Sequence, residues 1–193
     1  MLFRSVGVGG QGTLLASDVL AGAGLRAGFD VKKAEVHGMA QRGGSVTSHV
    51  RWGAQVHSPL VSCGQADVIL AFEKLEAARC AHLVRPGGCV LVNDHAIPPV
   101  AVNIGRAVYP TDEQILSTLL AATPNVHLVP GMALARQVGE PRTVNIVLLG
   151  ALSRFVAIEL EHWLSSLQER VPSRVAEINR SAFMLGRQAF PSP

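Results

Sequence analysis

The run Leu2–Gly12, LFRSVGVGGQG, constrains this chain more than any other stretch. An apolar segment ends in glycines at 7, 9, 10 and 12, and a periodic segment of small residues follows from Thr13 to Ala27. This order predicts a strand, a tight turn and a helix. The glycines let the chain turn sharply, let its backbone approach a neighbour and set the strand against the helix. Gly7, Gly9 and Gly12 fit the G-x-G-x-x-G spacing of a phosphate turn, and a helix N-terminus behind them offers N–H groups and partial positive charge to an anion. Two readings stay open: a turn that contacts an anion, and a turn that only packs. A complete dinucleotide site also needs an acidic residue near the end of the second strand. Asp30 stands at the start of the predicted strand Phe29–Val36. Glu35 stands near its end but 28 residues after Gly7, where about 20 is usual.

The most unusual local stretch is EVHGMAQRGGSVTSHVRWG, Glu35–Gly53. His37–Gly44 is rich in glycine and polar groups and predicts a loop. Ser45–Trp52 alternates Val46, Ser48, Val50 and Trp52 against Thr47, His49 and Arg51, the pattern of a half-exposed strand. A loop that leaves a strand end with His37, Gln41 and Arg42 together suits binding. Arg42 presents a rigid fork for phosphate or carboxylate, Gln41 can orient a carbonyl, and His37 can donate a hydrogen bond. The alternative is a glycine-rich connection whose polar groups satisfy one another.

Further along, Asp67–Phe72 predicts a buried strand, Glu73–Leu83 a helix with Leu75, Ala78 and His82 inward, Arg85–Gly88 a turn and Cys89–Val92 another buried strand. Strand, helix, Pro-Gly turn and strand make a parallel βαβ unit. Val100–Ile104 predicts a short strand after Pro98–Pro99, Tyr109–Leu120 a helix, Asn125–Val129 an edge strand and Met132–Gly139 a helix. Helices then fill Arg142–Phe155, Glu159–Arg170 and Arg174–Gly186. The expected fold is α/β: a Rossmann-like, mostly parallel sheet with helices on both faces and additional C-terminal helices. One domain spans 1–193, with 142–193 as a helical extension.

Composition narrows the chemistry. With 48% hydrophobic and 16% charged residues the chain is built to bury a core. Its net charge of +3 comes largely from scattered arginines, with no block that reads as a nucleic-acid stripe. Val144–Leu152 is too short to span a membrane before Arg154, and no targeting segment is evident, so a cytoplasmic protein is expected. Seven histidines include no H-E-x-x-H and no close His/Cys cluster, so no metal site is expected. Cys63, Cys80 and Cys89 form no C-x-x-C pair, fall short of the four ligands of a common iron–sulfur cluster, and read as core thiols. No G-x-S-x-G and no P-loop Lys-Ser/Thr occurs, and Asp94–His95 after a strand is not by itself an acid/base pair. No catalytic residue is assigned.

Taken together, GVGGQG at Gly7–Gly12 and HGMAQRGGS at His37–Ser45 make a specific combination. In this order they resemble the gamma-type domain of the 2-oxoacid:ferredoxin oxidoreductases, and within that family the small, beta-type subunit that serves indolepyruvate. The resemblance is strongest over roughly the first 100 residues. It implies a subunit of an enzyme that oxidatively decarboxylates arylpyruvates with CoA and ferredoxin to aryl-acetyl-CoA and CO2. It also implies a large catalytic alpha subunit in a heterotetramer or similar assembly. Thiamine diphosphate, Mg2+ and [4Fe-4S] clusters are expected in that partner, because no GDG…N run and no cluster cysteines occur here. The resemblance makes Gly9, Gly10, Gln11, Gly12, His37, Met39, Gln41, Arg42 and Gly43 candidates for contact with CoA, substrate or the partner subunit. Subunits acting on pyruvate, 2-oxoglutarate or phenylglyoxylate are alternatives, as is a non-enzymatic nucleotide-binding or assembly module.

Overall fold

The computed structural model describes residues 1–37 and 43–190. Strand β1 (Leu2–Val8) lies inside a six-stranded sheet with β2 (Asp30–His37), β3 (Ser45–Gly53), β4 (Ala66–Ala71), β5 (Val84–Asn93) and β6 (Asn125–Val129), in the order β2-β3-β1-β4-β5-β6. β1, β4, β5 and β6 are mutually parallel, whereas β3 runs antiparallel to both β1 and β2. The sheet is therefore mostly parallel, with one hairpin at its edge. Asn125–Val129 forms the opposite edge, as its position in the sequence suggests.

Helices cover both faces. α1 (Thr13–Arg26), α5 (Gly131–Val138), α6 (Val144–Leu152), α7 (Leu160–Arg170) and α8 (Ala176–Gln188) share one core with Phe3, Leu70 and Leu91 of the sheet. α2 (Lys74–Cys80) and α4 (Asp112–Ala122) build the second core around Val6, Ile69 and Val92. α1 has many small residues and weak intrinsic helicity, and packing is what holds it: nine of its residues are buried, and Ser166 of α7 donates 2.8 Å to the Val19 carbonyl. All nine residues of α6 are buried. α6 and α8 cross through reciprocal glycines. A Cβ at Gly150 would stand 2.0 Å from the Phe183 carbonyl oxygen, and one at Gly186 would stand 2.0 Å from that of Val147. No helix among the described residues is long and apolar enough to cross a membrane.

Three local expectations fail for physical reasons. Val100–Ile104 is not a strand but a single helical turn, α3 (Val100–Asn103), because Pro99 starts the turn and the Val102 and Asn103 amides close onto its carbonyl. Arg85–Gly88 belongs to β5 rather than to a separate turn; the ladder shifts register between Ala66 and Val68, and Gly87 takes up the irregularity at φ 72°. α2 turns Glu76, Ala77 and Cys80 fully inward with Ala78 packed beside them and Leu75 half-buried, while His82 is exposed. A buried glutamate is tolerated there because Ser45 donates to one oxygen at 2.5 Å and Arg79 to the other at 2.6 Å.

Arg4 and His49 face each other across β1 and β3. The His49 ring is buried; its Nδ1 accepts from the Val61 amide at 3.0 Å, and the Arg4 guanidinium lies against the ring. Burial, reinforced by the Arg4 charge, pushes His49 down to about 4. The unfolded chain binds a proton on this ring below about 6.5 and the folded chain does not. Stability is therefore highest above pH 6.5 and falls as the pH drops toward 4, by at most about 1.4 kcal/mol per unit. Urea titrations between pH 7 and 4 measure that slope, and His49→Gln flattens it.

Candidate functional site

The glycine turn leaves β1 beside the sheet's change of direction, where β1 touches β3 on one side and β4 on the other. In open α/β sheets such a switch point forms a crevice at the strand ends. Gln11 holds the turn closed: its side-chain oxygen accepts from the Val8 amide at 2.7 Å, and its nitrogen donates to the Phe72 carbonyl at 2.8 Å. Asn93, at the end of β5, donates to the same carbonyl at 3.1 Å. One carbonyl thus gathers the ends of β1, β4 and β5. Both ends of the Gln11 amide are engaged inside the protein, so its side chain positions the turn.

Gly12 caps α1 in the left-handed region at φ 75°, with no side-chain cap. Only glycine fits, because a Cβ would stand 2.4 Å from the Asn145 amide nitrogen, which itself donates to the Gly12 carbonyl at 3.2 Å. The first amides of any α-helix lack intrahelical partners. Here they open beside a recess of about 230 Å³ lined by Gly9, Gly10, Gly12 and Thr13.

The two sequence blocks meet at this rim. The Gly9 amide donates to the Gly44 carbonyl at 2.8 Å, and the Gly43 amide donates back to the Gly9 carbonyl at 3.4 Å. Register explains the meeting: Val8 pairs with Ser45, so the hairpin turns at the same end of the sheet as the glycine turn. Gly9, Gly10, Gln11, Gly12 and Gly43 therefore form one ledge. His37 ends β2 opposite Val46. Met39, Gln41 and Arg42 lie outside the described residues.

A second recess of about 540 Å³ continues from Gly10–Gly12 past Asn93 and His95 to Arg142, Arg170 and Arg174. Arg142 is paired with Glu140 at 2.7 Å, and Arg170 stands 3.7 Å from Asp18, whereas Arg174 has no ion-pair partner among the described residues. Three guanidinium groups and a helix N-terminus beside one carboxylate favour an anionic ligand. The sequence gives no motif for these arginines, because they come from segments far from the glycine turn and converge only in the fold.

The acidic residues considered for a ribose lie elsewhere. Asp30 accepts from Lys32 and from the Val56 amide at 2.8 Å, at the far end of β2, and Glu35 pairs with Lys33. β3 stands between β1 and β2, so neither acid flanks the glycine turn. Cys80 is buried and Cys89 half-buried, and burial pushes the Cys89 thiol up to about 12. Cys63 is exposed rather than a core thiol. No group of three or more His, Cys, Asp or Glu among the described residues is placed to hold a metal. The donor set does not fit an iron–sulfur cluster, since the three cysteines fall one short of four ligands and differ in burial.

Sheet order, glycine ledge and arginine-lined recess define an α/β chain of Rossmann-like build with an anion-favouring rim in place of a dinucleotide site. Residues 3–189 match the family described as pyruvate ferredoxin/flavodoxin oxidoreductase, and this chain belongs to that family. It is 41% identical to indolepyruvate oxidoreductase subunit IorB of Pyrococcus horikoshii over 95% of this chain and 92% of that one. It is 39% identical to the subunit of the same name from Archaeoglobus fulgidus over 94% and 90%. The gamma subunit of a keto/oxoacid ferredoxin oxidoreductase from Geobacter sulfurreducens shares the fold, with a TM-score of 0.72 and 24% identity over 97% of this chain and 96% of that one.

Proposed function

We propose that this chain is the small subunit of an indolepyruvate ferredoxin oxidoreductase, a single gamma-type domain over 1–193 that works with a large catalytic subunit. The 41% and 39% identity to subunits of that name, over 95% and 94% of this chain, carries the reading. The complex oxidatively decarboxylates arylpyruvates with CoA and ferredoxin to aryl-acetyl-CoA and CO2. Thiamine diphosphate, Mg2+ and the clusters reside in the large subunit, and no step of their chemistry is assigned to residues of this chain.

Its own part is to bind and position. The ledge Gly9–Gly12 with Gly43, together with Arg42 and Arg174, takes the phosphates of CoA. The reading is supported by backbone amides at the start of α1 and by guanidinium groups that line the adjoining recess. The remaining candidates, His37, Met39 and Gln41, flank the same rim in sequence and serve the approach to the partner's active site.

In the assembled complex, Arg42→Ala and Arg174→Ala each raise the apparent KM for CoA about tenfold, the worth of one charge-assisted hydrogen bond. Each leaves assembly and the KM for indolepyruvate near wild type. Steady-state kinetics with ferredoxin as acceptor measure this. Unchanged CoA constants in both variants eliminate the phosphate role. A 2-oxoacid panel on the same complex tests the substrate: preference for pyruvate or 2-oxoglutarate over indolepyruvate overturns the arylpyruvate assignment.

A further inference from the structure

The segment between β5 and α4 has an unusual build. Its two ends are tied to one atom: the Ile97 amide donates to Oε1 of Glu73 at 3.1 Å, and the Tyr109 hydroxyl donates to the same oxygen. Glu73 is 1% exposed, and its other oxygen caps α2 through the Glu76 amide at 2.8 Å. Between the two ties the segment also bonds to itself. Asn103 donates its side-chain amide to the Pro98 carbonyl at 3.2 Å, and the Arg106 and Ala107 amides both reach the Ala101 carbonyl. A buried carboxylate and a set of internal hydrogen bonds thus hold its shape.

What it presents is apolar. α3 buries none of its residues, and Val100, Ile104 and Val108 are 67%, 57% and 92% exposed. A loop made for water carries polar turn residues. This one carries one charged side chain, Arg106, between Ala96 and Thr111. Contiguous exposed apolar surface on a shaped support marks a protein–protein contact. The position is consistent with that: the loop leaves the same strand-end rim as the glycine turn, and its base, His95 and Ile97, lines the arginine-bearing recess.

We infer that residues 97–109 form a prong that inserts into an apolar recess of the large catalytic subunit, with Arg106 meeting a carboxylate at the mouth of that recess. The inference rests on the subunit reading above and names the surface that makes the contact. Charge selects the occupant. Two prongs meeting in a pair of these chains would bring two Arg106 guanidinium groups together with no carboxylate of the prong between them. Asp94 and Asp112, which flank the loop in sequence, are engaged by Lys74 at 3.3 and 2.6 Å. A large subunit with a carboxylate at the mouth of its recess meets that charge. Insertion of the prong also brings the partner up to the recess proposed for CoA.

The test is co-expression of the full chain with its cognate large subunit, using Ile104→Asp, Val108→Asp and Arg106→Glu. All three positions are exposed, so the isolated variants keep the wild-type melting temperature. Titration of small into large subunit is expected to show at least tenfold weaker association for each, and no complex for the Ile104→Asp/Val108→Asp pair. Wild-type affinity in all of them overturns the prong while leaving the subunit reading intact. A small subunit that self-associates through this loop, with the aspartates dissolving the homodimer and sparing the heteromeric complex, overturns it in favour of a second copy. A wild-type chain that forms no complex with the large subunit overturns the subunit reading and the prong together.

Discussion

Gly186→Ala lowers the melting temperature of this chain by roughly 6–12 °C, the equivalent of about 3 kcal/mol at this size. The added Cβ stands 2.0 Å from the Val147 carbonyl oxygen and 2.9 Å from the Val147 Cα. Both are backbone atoms, so no rotamer change relieves the contact and α8 must move away from α6. α6 cannot follow, because every one of its residues is buried between α8 and the rest of the core. Overpacking costs 1–3 kcal/mol where side chains can adjust, and a backbone clash falls at the top of that range or beyond. The opposing gain in helix propensity is about 1 kcal/mol, so the clash wins. Ser181→Ala, on the exposed face of the same helix, gains propensity without a clash and leaves the melting temperature unchanged or slightly higher. An unshifted Gly186→Ala would show that the two helices do not cross at these glycines. Gly150→Ala meets the mirror-image contact with Phe183 and is expected to behave in the same way.

Glu73→Ala produces the second large loss, about 3 kcal/mol. It removes the N-cap of α2, worth about 1 kcal/mol, and leaves the half-buried Tyr109 hydroxyl and Ile97 amide without their acceptor, at about 1 kcal/mol each. A spectroscopic signature separates this from general destabilisation. Burial and the hydrogen bond to Glu73 hold the Tyr109 hydroxyl well above the usual tyrosine range. Without Glu73 its ultraviolet titration moves back toward the ordinary value near 10, in a chain that is still folded by circular dichroism. Glu73→Gln keeps an acceptor and falls between the two. Urea unfolding supplies the free energies, and a Tyr109 titration unmoved in Glu73→Ala would refute the contact.

Much of the architecture is legible in the sequence because it is written in local periodicity. The β1–turn–α1 unit, the buried β4 and the edge strand β6 follow from apolar runs and their punctuation. What escapes depends on partners distant in the chain. Val100–Ile104 has the composition of a strand, but it belongs to a loop shaped by Pro99 and by a carboxylate on another element. Glu76 sits on the inner face of α2 only because Ser45 and Arg79 reach it, which hydropathy cannot reveal. The site divides in the same way. The glycine turn announces itself. Its bond to Gly44 needs β3 to insert beside β1, and the approach of Arg142, Arg170 and Arg174 to Gly12 needs the whole C-terminal half to fold back over α1. His37 is placed by the end of β2.

The pair of backbone bonds between Gly9 and the Gly43–Gly44 step makes a lever of the hairpin. β2 and β3 are joined to the rest of the sheet along β1, and at their far end they are joined to the glycine turn itself. A load on the hairpin would therefore reach the loop that opens α1, and an ordering of that loop would reach the hairpin. Linkage makes the two effects equal: whatever factor one ligand adds to the affinity of the other is returned unchanged.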